Sequence, residues 1–164
     1  NKVDIIICET MSSGLEAKCA LNAALQVEAD VWVSWTLHGN RPNQLPSGES
    51  VKEAFLALEN LTPQAYLINC CGANFVGDAI KELNKLTDLP IGGYANSENV
   101  IRTSESLGFI NAEKAQRDSI IEIDEVSYSK EVLSWIKDGA TIVGGCCRTR
   151  PSHIKQLRCA LKNR

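Results

Sequence analysis

The chain has 164 residues, a length suited to one domain, and we read 1–164 as a single one. Hydrophobic residues make up 44% of it and charged residues 23%, a balance that supports a buried core and excludes an intrinsically disordered chain. The net charge of -3 gives no basis for nucleic acid or an anionic membrane as partner, and no apolar run approaches the roughly 18 residues of a spanning helix.

The chain opens without an initiator Met on Val3–Cys8, an apolar run of strand type, so a segment upstream is expected. Ala17, Leu21, Ala24 and Leu25 then make a weak helical stripe. A second strand is expected at Val31–Leu37. Ser50 and Glu53 form a capping box, behind which Val51, Ala54, Phe55, Leu58 and Leu61 share one helical face. A third strand, Ala65–Cys70, precedes the strongest stripe: Phe75, Val76, Ala79, Ile80, Leu83 and Leu86. The fourth strand is expected at Leu89–Tyr94. From about Ser97 to Ser129 the rhythm breaks into a polar, irregular stretch that reads equally as an active-site excursion or a solvated insertion. Val132, Leu133 and Ile136 resume a helical pattern that Gly139 stops. Thr141–Gly145 is the fifth strand, and Pro151 opens a last helix carrying Ile154, Leu157 and Leu161.

Continuous apolar strands alternating with helices predict an α/β fold with a parallel sheet. Two architectures compete: an open doubly wound sheet, or part of a (β/α)8 barrel. No Gly-x-Gly-x-x-Gly turn follows the first strand, which argues against a dinucleotide-binding sheet.

Seven cysteines, an odd number that includes two vicinal pairs, make a poor disulfide framework and point to a reducing, cytoplasmic compartment. Cys70-Cys71 and Cys146-Cys147 both fall where strands end. Parallel strands place all their C-termini on one side, so these distant pairs can meet there. Three thiolates and one free position suit a catalytic zinc site, whereas four thiolates close the shell. Alternation along a strand separates Cys70 from Cys71, yet on spacing alone the question of three or four stays open. Gly144-Gly145 is expected to leave room for a ligand beside the backbone. The plain alternative is that all four are small buried residues, as Cys8, Cys19 and Cys159 are expected to be. His38 is read as a loop histidine and His153 as a local contact in the first turn of the last helix. Arg148 either meets a substrate carboxylate or anchors its turn.

The stretch Val143-Gly144-Gly145-Cys146-Cys147-Arg148-Thr149-Arg150-Pro151-Ser152-His153-Ile154 resembles the closing motif of the homocysteine S-methyltransferase family. Ile68-Asn69-Cys70 is similar to its Val-Asn-Cys motif, and Cys8-Glu9-Thr10 with Leu15-Glu16-Ala17 to its Glu-Thr and Glu-Ala stretch. Ser34-Trp35-Thr36 and Tyr94-Ala95-Asn96 match further motifs in order along nearly the whole chain. Cys71, where the family has Thr or Ser, and Ala95, where it has Pro, are departures.

The resemblance implies a (β/α)8 barrel of which about five C-terminal units are present, since a complete barrel typically has about 250 residues. The family's opening strands are missing, so the implied unit needs an N-terminal segment or a partner chain to close it. The resemblance also implies zinc held by Cys70, Cys146 and Cys147, with Glu9 binding the amino group of homocysteine and Thr36, Asn69 and Asn96 among the substrate contacts. The implied reaction is methyl transfer from a sulfonium donor, S-methylmethionine or S-adenosylmethionine, to the homocysteine thiolate, giving methionine. The competing readings are a non-catalytic zinc-binding module, such as a degenerate paralogue, and a redox protein working through its cysteine pairs.

Overall fold

The structure, a computed structural model, describes residues 3–39, 41–101 and 120–162. Five strands form one wholly parallel sheet: β1 (Ile5–Met11), β2 (Asp30–Trp35), β3 (Ala65–Gly72), β4 (Ile91–Asn96) and β7 (Ile142–Val143), adjacent in that order. A doubly wound sheet reverses its strand order at a switch point; this one does not. Successive strands lie side by side, as in a barrel, which decides between the two architectures that the strand pattern left open.

The connecting helices are α1 (Gly14–Ala24), α2 (Val51–Leu56), α3 (Ala73–Leu83) and α4 (Glu125–Lys137), and α5 (Pro151–Lys162) follows β7. The capping box at Ser50 and Glu53 forms as expected. Helix α2 is short, and Leu58 lies beyond it in a turn and Leu61 in the connection that follows; Leu58 is nonetheless fully buried. Leu86 likewise lies past the end of α3.

The helices cover one face of the sheet. Ile68, Gly93 and Val143 share a row across β3, β4 and β7. A Cβ on Gly93 would stand 2.7 Å from a methyl of Val76 on α3, so this row faces the helices at close range. Val31, Val33, Trp35, Tyr66, Ile68 and Ile91 belong to the same core as Leu21, Val51, Ile80, Leu83, Val132 and Trp135. On β1, alternation turns Ile5 and Ile7 to the opposite face, where they are exposed. That is the face a closed barrel would fill with side chains.

Part of the expected irregular stretch is regular. β5 (Glu98–Val100) and β6 (Ile120–Glu122) pair as an antiparallel ribbon, and α4 begins at Glu125, capped by Asp124. Residues 102–119 lie outside the described residues. The early turns of α4 escape a sequence reading because Glu125, Lys130 and Glu131 surround one narrow buried stripe of Tyr128, Val132 and Trp135. No helix among the described residues is long and apolar enough to cross a membrane.

Candidate metal centre

β1 and β3 each carry a register shift near their C-terminal ends, between Cys8 and Met11 and between Asn69 and Gly72. At both places one residue is left-handed: Thr10 with φ 60° and Cys70 with φ 54°. Such a conformation is uncommon for residues other than glycine and persists only where surrounding contacts impose it. At Thr10 the contacts come from Asn69. Its Oδ1 accepts from Thr10 N at 3.0 Å and from Ser34 Oγ at 2.7 Å, and its Nδ2 donates to Thr10 Oγ1 at 2.8 Å. A buried carboxamide on β3, next to Cys70, thereby reaches past β2 and holds the β1 bulge, while Thr36 Oγ1 donates to Cys70 O at the β3 bulge.

The bulge at Cys70 breaks the alternation of β3. Cys70 turns to the strand-end face, and Cys71 enters the core. Burial pushes the Cys71 thiol up to about 12, so it stays neutral.

The loop after β7 brings the second pair to the same place. Cys146 N donates to Ala95 O at 2.8 Å, Ser97 N to Cys147 O at 3.0 Å, and Cys147 N to Asn96 Oδ1 at 3.1 Å. Thr149 Oγ1 closes the turn onto Cys146 O at 2.6 Å. A Cβ on Gly145 would lie 2.5 Å from Thr149 Oγ1, so the close approach of the threonine requires glycine at this position. Arg148 is left-handed, with φ 63°. From behind, the Tyr128 hydroxyl is shared between Ala95 O at 3.0 Å and Gly144 O at 2.8 Å, and burial holds its phenol well above the usual tyrosine range.

The outcome is a cluster of three sulfurs. Cys70 and Cys147 Sγ are 3.8 Å apart, Cys146 and Cys147 Sγ are 4.0 Å apart, and all three fall within 4.8 Å of one another. Among the described residues this is the one cysteine, histidine or carboxylate group close enough to share a metal ion, and Cys71 is not in it. Zn–S bonds of about 2.3 Å in a tetrahedron separate the sulfurs by roughly 3.8 Å, so the cluster fits such an ion with little adjustment. Burial first, then the charge of Cys146, pushes the Cys70 thiol up to about 12, and burial and Cys147 raise Cys146. Both shifts disfavour the thiolate forms of Cys70 and Cys146, which a bound cation would offset.

The other expected site residues surround this mouth. Glu9 is exposed at the end of β1, and Tyr94 OH donates to its carboxylate at 3.3 Å. The Tyr94 phenol is raised mainly by burial, with Glu9 and Cys146 adding to it, so it keeps the proton it donates. Thr36 Oγ1 donates to Cys70 O at 3.2 Å. Asn69 and Asn96 are both buried; Asn69 holds the backbone of β1 at Thr10, and Asn96 holds that of Cys147. His153 is buried against Ser97, 2.9 Å away, and its Nδ1 accepts from Arg150 N at 3.1 Å, so Nε2 carries the hydrogen. The expectation of a local contact holds, with a long-range partner added. Cys8 packs in the core, but Cys19 and Cys159 are exposed on α1 and α5, against expectation. Each lies on the outer face of an amphipathic helix, which spacing in an alanine-rich or polar segment does not reveal.

The model of the homocysteine S-methyltransferase family matches residues 1–161. The chain belongs to that family. It is 33% identical over 157 residues to a selenocysteine methyltransferase of Astragalus bisulcatus, covering 94% of this chain and 44% of that one. It is 32% identical over 164 residues to homocysteine S-methyltransferase 2 of Arabidopsis thaliana, covering 98% and 46%. Among solved structures it is similar to the homocysteine methyltransferase MmuM of Escherichia coli in its metallated form, with a TM-score of 0.70, 24% identity, and 96% and 45% of the two chains covered. The chain thus spans less than half the length of these relatives, and its five parallel strands fit part of a barrel.

Sequence reading missed Tyr128 and Glu98. Tyr128 carries a signal in hindsight, an aromatic on the buried stripe of α4; Glu98 carries none.

Proposed function

We propose that this member of the family forms the zinc-binding half of a homocysteine S-methyltransferase. The reading is supported above all by the three sulfurs, drawn from two distant stretches of chain, that lie within 4.8 Å of one another at the C-terminal ends of parallel strands. Cys70, Cys146 and Cys147 are the residues that would hold the ion, and three thiolates favour zinc among the common divalent metals. Zinc in such a site supplies the positive charge that keeps a substrate thiol deprotonated near neutral pH.

The chain's own residues then bind and orient. Glu9 offers a carboxylate to the substrate ammonium, with Tyr94 steadying it from the side. Thr36, Asn69 and Asn96 complete the substrate wall, the two asparagines largely through the backbone they fix. In the reaction the homocysteine thiolate forms a bond to the donor's methyl carbon. The methyl–sulfur bond of the sulfonium breaks, and its electron pair stays on the departing sulfur, which becomes a neutral thioether. The thiol proton has already gone to solvent, so no side chain is needed as a general base. Positioning and charge carry the catalysis.

Closing the barrel falls to strands beyond this chain, from an N-terminal segment or a partner. They would pair with the outer edges of β1 and β7, so that the closed sheet encloses the face where Ile5 and Ile7 are exposed. The test is zinc content of the purified protein, followed by methionine formation from homocysteine with S-methylmethionine and with S-adenosylmethionine. The expected result is one zinc per chain, and turnover that is weak alone and rises when the remaining strands are supplied. Selenocysteine belongs in the acceptor panel, given the name of the Astragalus relative. A chain that binds no zinc, and whose cysteines titrate as an ordinary dithiol, defeats the proposal in favour of a redox role.

A further inference from the structure

Glu98 is the one acidic residue buried among those described, with only 5% of its surface exposed. A carboxylate in that setting needs partners, and it has two. Its Oε2 accepts from Arg148 Nη1 at 2.6 Å, and its Oε1 accepts from Asn96 Nδ2 at 3.0 Å. The second bond fixes which way the Asn96 amide faces. With Nδ2 committed to the carboxylate, Oδ1 turns to the opposite side, where it accepts from Cys147 N at 3.1 Å. The reverse orientation would set a donor against the Cys147 N–H and an acceptor against the carboxylate. The first bond holds the side chain of Arg148, the left-handed residue directly after the two cysteines. One carboxylate therefore grips the Cys146-Cys147-Arg148 turn at two points, through an amide on one side and a guanidinium on the other.

We propose that Glu98 is a positioning residue for the metal centre, setting Cys147 for coordination through the Asn96 amide while Arg148 anchors the far end of the turn. This rests on the reading of Cys70, Cys146 and Cys147 as zinc ligands, and it adds a residue that touches none of the three sulfurs. The geometry accounts for the burial of Glu98: exposure to water would leave the amide free to flip and the turn free to relax. Partners of this kind, one shell out from a metal, typically contribute 10–100-fold to its affinity.

The test is Co(II) titration of the metal-stripped protein, followed by the sulfur-to-cobalt charge-transfer band and the visible ligand-field bands. Glu98→Gln keeps the shape of the side chain but cannot accept from both partners. It is expected to bind Co(II) at least tenfold more weakly and with altered ligand-field bands, while the metal-free Tm stays close to that of the parent. Arg148→Ala changes a half-exposed residue and keeps the fold within reach should Glu98→Gln not fold; about a threefold to tenfold loss is expected. Lys18→Ala, which breaks the exposed pair with Glu59, serves as the control and is expected to leave the titration unchanged. A parent that binds Co(II) through sulfur, alongside a Glu98→Gln or Arg148→Ala protein with the same affinity and spectrum, overturns the role of Glu98 and leaves the metal site standing. A parent that shows no sulfur-to-cobalt band overturns the metal site itself, and this inference with it.

Discussion

Cys70-Cys71 and Cys146-Cys147 are both neighbouring pairs at the ends of strands, yet one pair delivers a single sulfur to the centre and the other delivers two. The first pair sits within β3, where a left-handed bulge at Cys70 turns that residue outward while Cys71 continues into the core. The second pair lies beyond β7, which is only two residues long, in a turn tied to the end of β4 by three hydrogen bonds. A strand imposes alternation and a turn does not. What decides whether adjacent cysteines can share an ion is therefore the backbone holding them and not their adjacency.

The sharpest way to break this comparison is to remove the thiols one at a time. Serine at position 70, 146 or 147 is expected to weaken zinc or cobalt binding by more than the 10–100-fold typical of residues outside the ligand shell. Cys71→Ser is expected to keep one metal per chain and to lose roughly 1–3 kcal/mol of stability in urea denaturation, the cost of a poorly satisfied hydroxyl in the core. If Cys71→Ser loses the metal while Cys70→Ser keeps it, the two residues have been assigned the wrong way round.

A smaller effect probes the support of each pair. Asn69→Leu removes the three hydrogen bonds that hold the bulge of β1 and tie the residue beside Cys70 to β1 and β2. It leaves the Thr10 N–H and the Ser34 hydroxyl to find new partners, a loss of about 2–4 kcal/mol. Metal affinity should fall with it, since Cys70 directly follows the residue so tied. An unchanged affinity would mean that the left-handed turn at Cys70 does not depend on Asn69.

The smallest expected change is at Tyr128, which supports the second pair from behind. Tyr128→Phe keeps the ring against Trp135 and His153 but removes the bonds to Ala95 O and Gly144 O. About 1 kcal/mol of stability is expected to go, with the metal retained, because Cys146 and Cys147 keep their own ties to β4. A full loss of metal would place the control of this turn in α4 instead of β4.

Much of this architecture was legible in the chain itself. Five apolar runs read as strands correspond to the five strands of the sheet, although β1 continues past Cys8 through Glu9, Thr10 and Met11, which the polar residues there concealed. The capping box at Ser50 and the stripe of α3 were readable because they depend on local spacing alone. The family motifs around Asn69-Cys70 and Gly145-Cys146-Cys147 were readable for the same reason. Tertiary structure alone decided the barrel-like strand order over a doubly wound one, the inward turn of Cys71, the filling of the space beside Gly145 by Thr149, and the link from Glu98 to Cys147. Each of these depends on which distant residues meet. A sequence states its periodicity and its side-chain chemistry directly, but a left-handed residue or a buried carboxylate is stabilised by partners that only the folded chain brings within reach.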